Sequence, residues 1–102
     1  MIIDWTKPAL LDLEGVRDYI SRDSEYYAAR FVEKIIEAVE SLEKFPARGM
    51  CVPEADEENI REILFYNYRI MYRVETGRVL ILTIIHGARD LSQKKPKPWD
   101  NA

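Results

Sequence analysis

The sequence predicts an α+β domain: an N-terminal strand, an antiparallel helical hairpin, then a three-stranded antiparallel meander, in the order β-α-α-β-β-β. Three observations predict it. Ala28, Phe31, Val32, Ile35, Val39 and Leu42 step by three and four, as one face of a helix does. From Arg61 onward the apolar period changes to two, the period of a strand. Between these regions, Phe45-Pro46, Gly49 and Pro53 break both patterns.

Each element has its own warrant. Ile2-Ile3-Asp4-Trp5 is short and β-prone. Thr6 can cap a helix whose first turn accepts Pro8, and Leu10, Leu13, Val16, Tyr19 and Ile20 follow at helical spacing. Asp23-Ser24 offers a second N-cap after a break at Ser21-Arg22. The second helix puts Tyr26, Tyr27, Ala29 and Ile36 beside or outside its main stripe, either as a wide buried face or as a surface for a partner. Ala47 to Asn59 reads as a loop with an acidic run, Glu54 to Glu58. Arg61–Phe65, Tyr68–Val74 and Val79–Ile85 read as strands, with Thr76-Gly77 as one hairpin turn and Asn67 serving the other. Val79–Ile85 is apolar on both faces, which places it centrally. Residues 91–102 carry Pro96, Pro98 and several lysines and read as an irregular, mobile tail of a single domain.

Composition excludes several classes. At 102 residues the chain is one domain, and 47% hydrophobic with 32% charged residues is ordinary globular usage. No apolar run is long enough to span a membrane, and Met1 to Trp5 is not a signal peptide, so the expected compartment is the cytoplasm. One cysteine, Cys51, and one histidine, His86, leave no disulfide framework and no metal site to expect, and no cofactor motif is present. A net charge of −3 argues against a basic nucleic-acid binder, and no sequence-specific DNA binding by this chain alone is expected. Yet five arginines (61, 69, 73, 78 and 89) face only Glu62 and Glu75 in the stretch from Arg61 to Arg89.

Chemistry is read from two segments. In Tyr68-Arg69-Ile70-Met71-Tyr72-Arg73-Val74, Tyr68, Ile70, Tyr72 and Val74 share one face, and Arg69, Met71 and Arg73 the other. Arginines on that second face meet solvent, an acidic partner or phosphate, or pair with Glu62 or Glu75 on neighbouring strands. Arg61 extends the same patch. In the second segment, His86-Gly87-Ala88-Arg89-Asp90, the histidine ends an apolar strand as a structural residue or as an acid or base. Tyr66, Tyr68 and Tyr72 read as half-buried core with hydroxyls at the rim.

These residues resemble a known family. A short strand ending in tryptophan, the helical hairpin, Phe45-Pro46, Arg61-Glu62-Ile63, Tyr68 to Val74 and His86 to Asp90 are similar in order and spacing to the RelE/ParE toxin superfamily. The likeness runs to about Leu91. It implies the RelE/ParE-like fold, a toxin of a type II toxin–antitoxin module, and a cognate antitoxin that wraps the hairpin and sheet face and neutralises it. The superfamily holds two activities on one fold. ParE-like members inhibit DNA gyrase without catalysis; RelE-like members are ribosome-dependent mRNA endonucleases, for which Arg69, His86 and Arg89 are the candidate catalytic residues. Arg61, Arg69, Arg73, His86 and Arg89 are the candidates for target or antitoxin binding. Three features turn the expectation to gyrase: no lysine lies between Lys44 and Lys94, the loop before the strands is acidic, and Leu91-Ser92-Gln93 stands where RelE-like nucleases carry a tyrosine or histidine.

Overall fold

The structure, a computed structural model, describes residues 1–101. Strand β1 (Ile2–Trp5) leads into helix α1 (Lys7–Ser21) and helix α2 (Glu25–Glu40), which a 3-10 turn at Ser41–Glu43 extends. Strands β2 (Met50–Cys51), β3 (Ile60–Phe65), β4 (Tyr68–Glu75) and β5 (Arg78–His86) follow. The sheet has five strands in the order β1-β5-β4-β3-β2. The meander is antiparallel as expected, but β1 runs parallel to β5, so the whole sheet is mixed. The segment read as a loop also contributes an edge strand, pairing Met50 with Glu62 and Cys51 with Arg61. Two residues are too few to carry a periodic signal.

Local chemistry sets the helix starts. The Thr6 hydroxyl accepts from the Ala9 N–H at 3.2 Å and donates to the Ile81 carbonyl at 2.9 Å, so one side chain caps α1 and ties it to the sheet. Ser24 caps α2 by accepting from the Tyr27 N–H at 3.2 Å. Helix α1 presents Ala9, Leu13, Val16 and Ile20 inward, whereas Leu10 and Tyr19 face solvent, unlike the stripe read from the sequence. The cause is Asp12. Its carboxylate accepts from the Thr83 hydroxyl at 2.5 Å and the Ile84 N–H at 3.1 Å, which fixes the rotation of α1 about its own axis.

The sheet separates two apolar clusters. On the helix side, Val16, Ile35, Val39, Leu42, Ile70, Tyr72 and Ile81 form the main core. On the other side, Val52, Ile60, Met71, Leu80, Leu82 and Ile85 meet Leu91 and Trp99 from the tail. Strand β5 is buried from Val79 to Ile85, as its two-sided apolar sequence demands. The tail departs from expectation. Pro98 and Trp99 are buried, Pro98–Asn101 forms a 3-10 turn, and Arg73 donates from Nη2 to the Trp99 carbonyl. Its lone aromatic anchor leaves no period in the sequence. Position 102 lies outside the described residues.

Two hairpins join β3, β4 and β5. Gly77 supplies positive φ (+80°) at one, as Thr76-Gly77 suggested. At the other, Tyr66 rather than Asn67 takes positive φ, at 52°. The loop Ala47–Gly49 is pinned from below by Tyr72, whose hydroxyl donates to Pro46 O at 2.8 Å and accepts from the Gly49 N–H at 2.9 Å. A Cβ on Gly49 would sit 2.5 Å from Glu62 O and 2.6 Å from Tyr72 Oη. Gly49→Ala therefore shifts backbone or breaks the tyrosine bond, and a loss of ~2 kcal/mol is expected in urea unfolding.

Candidate functional site

The sheet face away from the helices carries Arg69 and Arg73, and both are engaged within the chain. Arg69 lies on β4 with its side chain 11% exposed. Its Nε donates to Glu62 Oε1 at 2.5 Å, and its two Nη atoms donate to the Glu54 oxygens at 2.8 Å each. Glu62, on β3, is 7% exposed at its side chain, and Glu54 is 41% exposed. The fork holds the Glu54 carboxyl down to about 2, chiefly by the hydrogen bonds from Arg69. The reciprocal bonds from Glu54, and then from Glu62, raise Arg69 further.

Arg61 does not extend this patch: it pairs with Tyr72 and so points to the helix side, because Ile60 and Glu62 on either side of it take the far face. The remaining cations are engaged as well. Arg61 donates to Gly49 O at 2.6 Å and holds the loop against β3. Arg73 pairs with Glu75 at 3.7 Å besides reaching Trp99 O. Lys97 donates to Leu91 O at 2.5 Å and braces the tail. Arg89 differs: it is exposed, it lines a cleft of about 360 Å³ beside Arg69 and Lys97, and no ion-pair partner for it is present among the described residues. Asp90 turns back on Ser92, accepting from its N–H at 2.9 Å and its hydroxyl at 3.0 Å, which lowers its pKa.

His86 stands on the opposite face. It pairs with Tyr68 across β4 and β5, and the two rings meet edge to face at 5.9 Å. Tyr68, Ile70 and Ile84 belong to the helix-side core, whereas Met71 and Ile85 belong to the other, with Arg69 opposite Ile85. His86 Nδ1 accepts from the Ala88 N–H at 3.2 Å. The three nuclease candidates therefore do not converge: Arg69 and Arg89 share a cleft, and His86 is across the sheet from Arg69. Among the described residues no group of three or more His, Cys, Asp or Glu is placed to hold a metal ion, and no helix is long and apolar enough to cross a membrane.

A second surface lies on the helix side. Tyr26 and Tyr27 on α2 are 67% and 68% exposed, and Tyr66 at the β3–β4 turn is 72% exposed. With Phe31, Arg30 and Lys34 they line an open groove of about 460 Å³. Tyr66 was expected at the edge of the core; only Tyr72 is fully buried and Tyr68 half-buried. Its place in a two-residue turn was the available signal, since a turn residue between paired strands points away from the core.

A helical hairpin packed on a mixed sheet, with arginines on the far face, defines the small-toxin fold of the RelE/ParE class. The architecture matches a chain of the chromosomal ParDE TA system from P. aeruginosa, with a TM-score of 0.71, 25% identity, and coverage of 84% of this chain and 95% of that one. It also matches a chain of the toxin–antitoxin complex RelBE2 from Mycobacterium tuberculosis in fold, at a TM-score of 0.60, 22% identity, and 86% and 92% coverage. In sequence, the chain is 37% identical over 86 residues to Toxin RelE2 of Caulobacter vibrioides, across 83% of this chain and 93% of that protein. It is 34% identical over 93 residues to the putative toxin Y4kP of Sinorhizobium fredii, across 89% and 93%. Residues 3–91 match the family described as the ParE toxin of type II toxin-antitoxin system, parDE, and the chain belongs to that family.

Two outcomes follow for the Arg69 cluster. Arg69→Ala strands the buried Glu62 carboxylate and should cost about 3–5 kcal/mol in urea unfolding. Glu54 titrates below its ordinary 4.5 in the folded chain, so its contribution is complete above that pH and disappears as pH falls towards about 2. Solvent at its exposed side screens part of that contribution. Glu54→Gln should lower the urea midpoint at neutral pH and flatten the acid limb of its pH dependence; an unchanged acid limb would remove Glu54 from the account.

Proposed function

We propose that this type II toxin acts by binding DNA gyrase, as a ParE-type inhibitor, and that a cognate antitoxin neutralises it. The observation that carries the reading is the placement of His86 and Arg69 on opposite sheet faces. Cutting RNA needs a base for the 2′-hydroxyl, cations for the phosphate and an acid for the leaving oxygen, all within reach of one phosphodiester. Here the donors of Arg69 are directed at Glu54 and Glu62. The net charge of −3 also works against capture of a polyanionic message.

The antitoxin reading draws on the ParDE and RelBE2 assemblies among the similar structures. An acidic, partly disordered antitoxin that folds as it binds would pair a carboxylate with Arg89, the exposed cation of the cleft. Arg69 and Arg73 serve this role poorly, because each already holds an internal acceptor. The relative named RelE2 is the observation that keeps an endonuclease as the second reading.

Purified toxin assayed for gyrase supercoiling and, in parallel, for ribosome-dependent mRNA cleavage separates the two. The expected result is blocked supercoiling with intact message. Cleaved message with unaffected supercoiling would overturn the proposal. Under the gyrase reading, Arg89→Ala should leave the unfolding free energy within about 0.5 kcal/mol, as exposed substitutions do, while antitoxin affinity falls.

A further inference from the structure

Tyr66 is an unusual residue for its position. The β3–β4 loop has two residues, Tyr66 and Asn67, and the first has φ of 52°. A two-residue hairpin with positive φ there favours glycine, because a Cβ crowds the backbone in the left-handed region. The fold does not require the phenol: the ring is 72% exposed, and its neighbour Phe31 is already packed by Phe65 at 5.2 Å and Tyr68 at 5.9 Å. A strained residue whose side chain faces solvent is a marker of function.

Its surroundings form a coherent surface. Tyr66 is held edge-on by Phe65 at 4.9 Å and leans on Phe31 at 5.6 Å, so its ring is ordered before any partner arrives. Tyr26 and Tyr27 stand across the groove in mutual edge contact at 5.9 Å. Arg30 and Lys34, one turn apart on α2, supply the charge among the groove's lining residues. Tyrosine and arginine are the residue types that concentrate binding energy in protein interfaces.

We infer that this aromatic, cation-bearing groove of Tyr26, Tyr27, Arg30, Phe31, Lys34 and Tyr66 is the face by which the toxin meets its target, receiving an acidic segment with a bulky apolar anchor that projects from a folded protein. The inference rests on the reading of this toxin as a binder. Charge complementarity selects an acidic occupant, because both charged residues of the lining are cations. The rings are pre-organised and the groove compact, which suits a projection from a folded partner; a segment that folds on binding spreads over a longer surface. Arg30 lies 4.0 Å from the exposed Glu33, a solvent-screened pair that an incoming carboxylate can displace. A nucleic-acid strand would also stack on tyrosines, but it carries a phosphate at every nucleotide past Glu25, Glu33 and Glu37, whereas a peptide need place carboxylates only at Arg30 and Lys34.

The test uses the full chain with Tyr66→Gly, Tyr66→Asn and Tyr66→Phe, scored by thermal unfolding, growth arrest on expression and inhibition of purified gyrase. Glycine and asparagine relieve the backbone, so Tm should hold or rise. Growth arrest should be lost in both, and half-inhibition of supercoiling should need at least about tenfold more protein, the scale of losing one interface hot spot. Tyr66→Phe keeps the ring and should stay active. If the folded glycine and asparagine variants arrest growth as well as the unsubstituted toxin, the inference is overturned, including when they escape neutralisation, which would give the surface to the antitoxin. A fall in Tm with both variants would make Tyr66 a packing residue and overturn it too. Growth arrest by unsubstituted toxin with unaffected gyrase would remove only the gyrase reading, and the growth-arrest comparison would still decide the surface.

Discussion

A guanidinium placed on the covered side of a sheet cannot remain unpaired, and much of the far side of this molecule follows from that constraint. Arg69 draws Glu62 from the neighbouring strand and Glu54 from the loop beyond β2. Bringing Glu54 over the sheet carries Val52 and Ala55 with it, and these join Met71 and Leu82 in the second apolar cluster. Leu91 and Trp99 then complete that cluster from the tail. The acidic run of the loop therefore supplies a counter-ion, and the tail read as irregular supplies a cover of apolar side chains.

This arrangement separates the molecule's two functional prospects. On the far face, electrostatics are mostly closed within the chain: Arg69 serves two carboxylates and Arg73 serves the tail. On the helix face, rings and cations are open to solvent. A shared scaffold can thus carry different side-chain arrangements without changing topology. Here Arg69 and Arg73 are satisfied internally and His86 stands across the sheet from them.

Much of this was legible in the sequence, because the signals involved are local. The alternation from Tyr68 to Val74 assigned both faces of β4, and the caps at Thr6 and Ser24 fixed the helix starts. The cross-strand pairing of Glu62 with Arg69 was among the readings the alternation allowed, and it occurs; Glu75, read on a neighbouring strand, ends β4 itself and meets Arg73 along the same strand. What escaped depends on distant partners. Glu54 is fifteen residues from Arg69, and no period links them. The rotation of α1 is set by Asp12 meeting Thr83 and Ile84 across the fold, so the solvent-facing Leu10 and Tyr19 looked equally fit for the core. The exposure of Tyr66 depended on which residue of a two-residue turn takes the left-handed conformation, and composition pointed to Asn67.

The parallel pairing of β1 with β5 has a consequence for how the protein is made. Ile3 and Trp5 lie beside Val79 and Ile81, so the first strand synthesised waits for the last. Chains whose contacts join distant residues fold late and slowly. A nascent chain halted before the end of β5 has a helical hairpin with no central strand to cover, and Trp99 emerges later still. The sheet can therefore close around its central strand only after the residues of β5 have been synthesised.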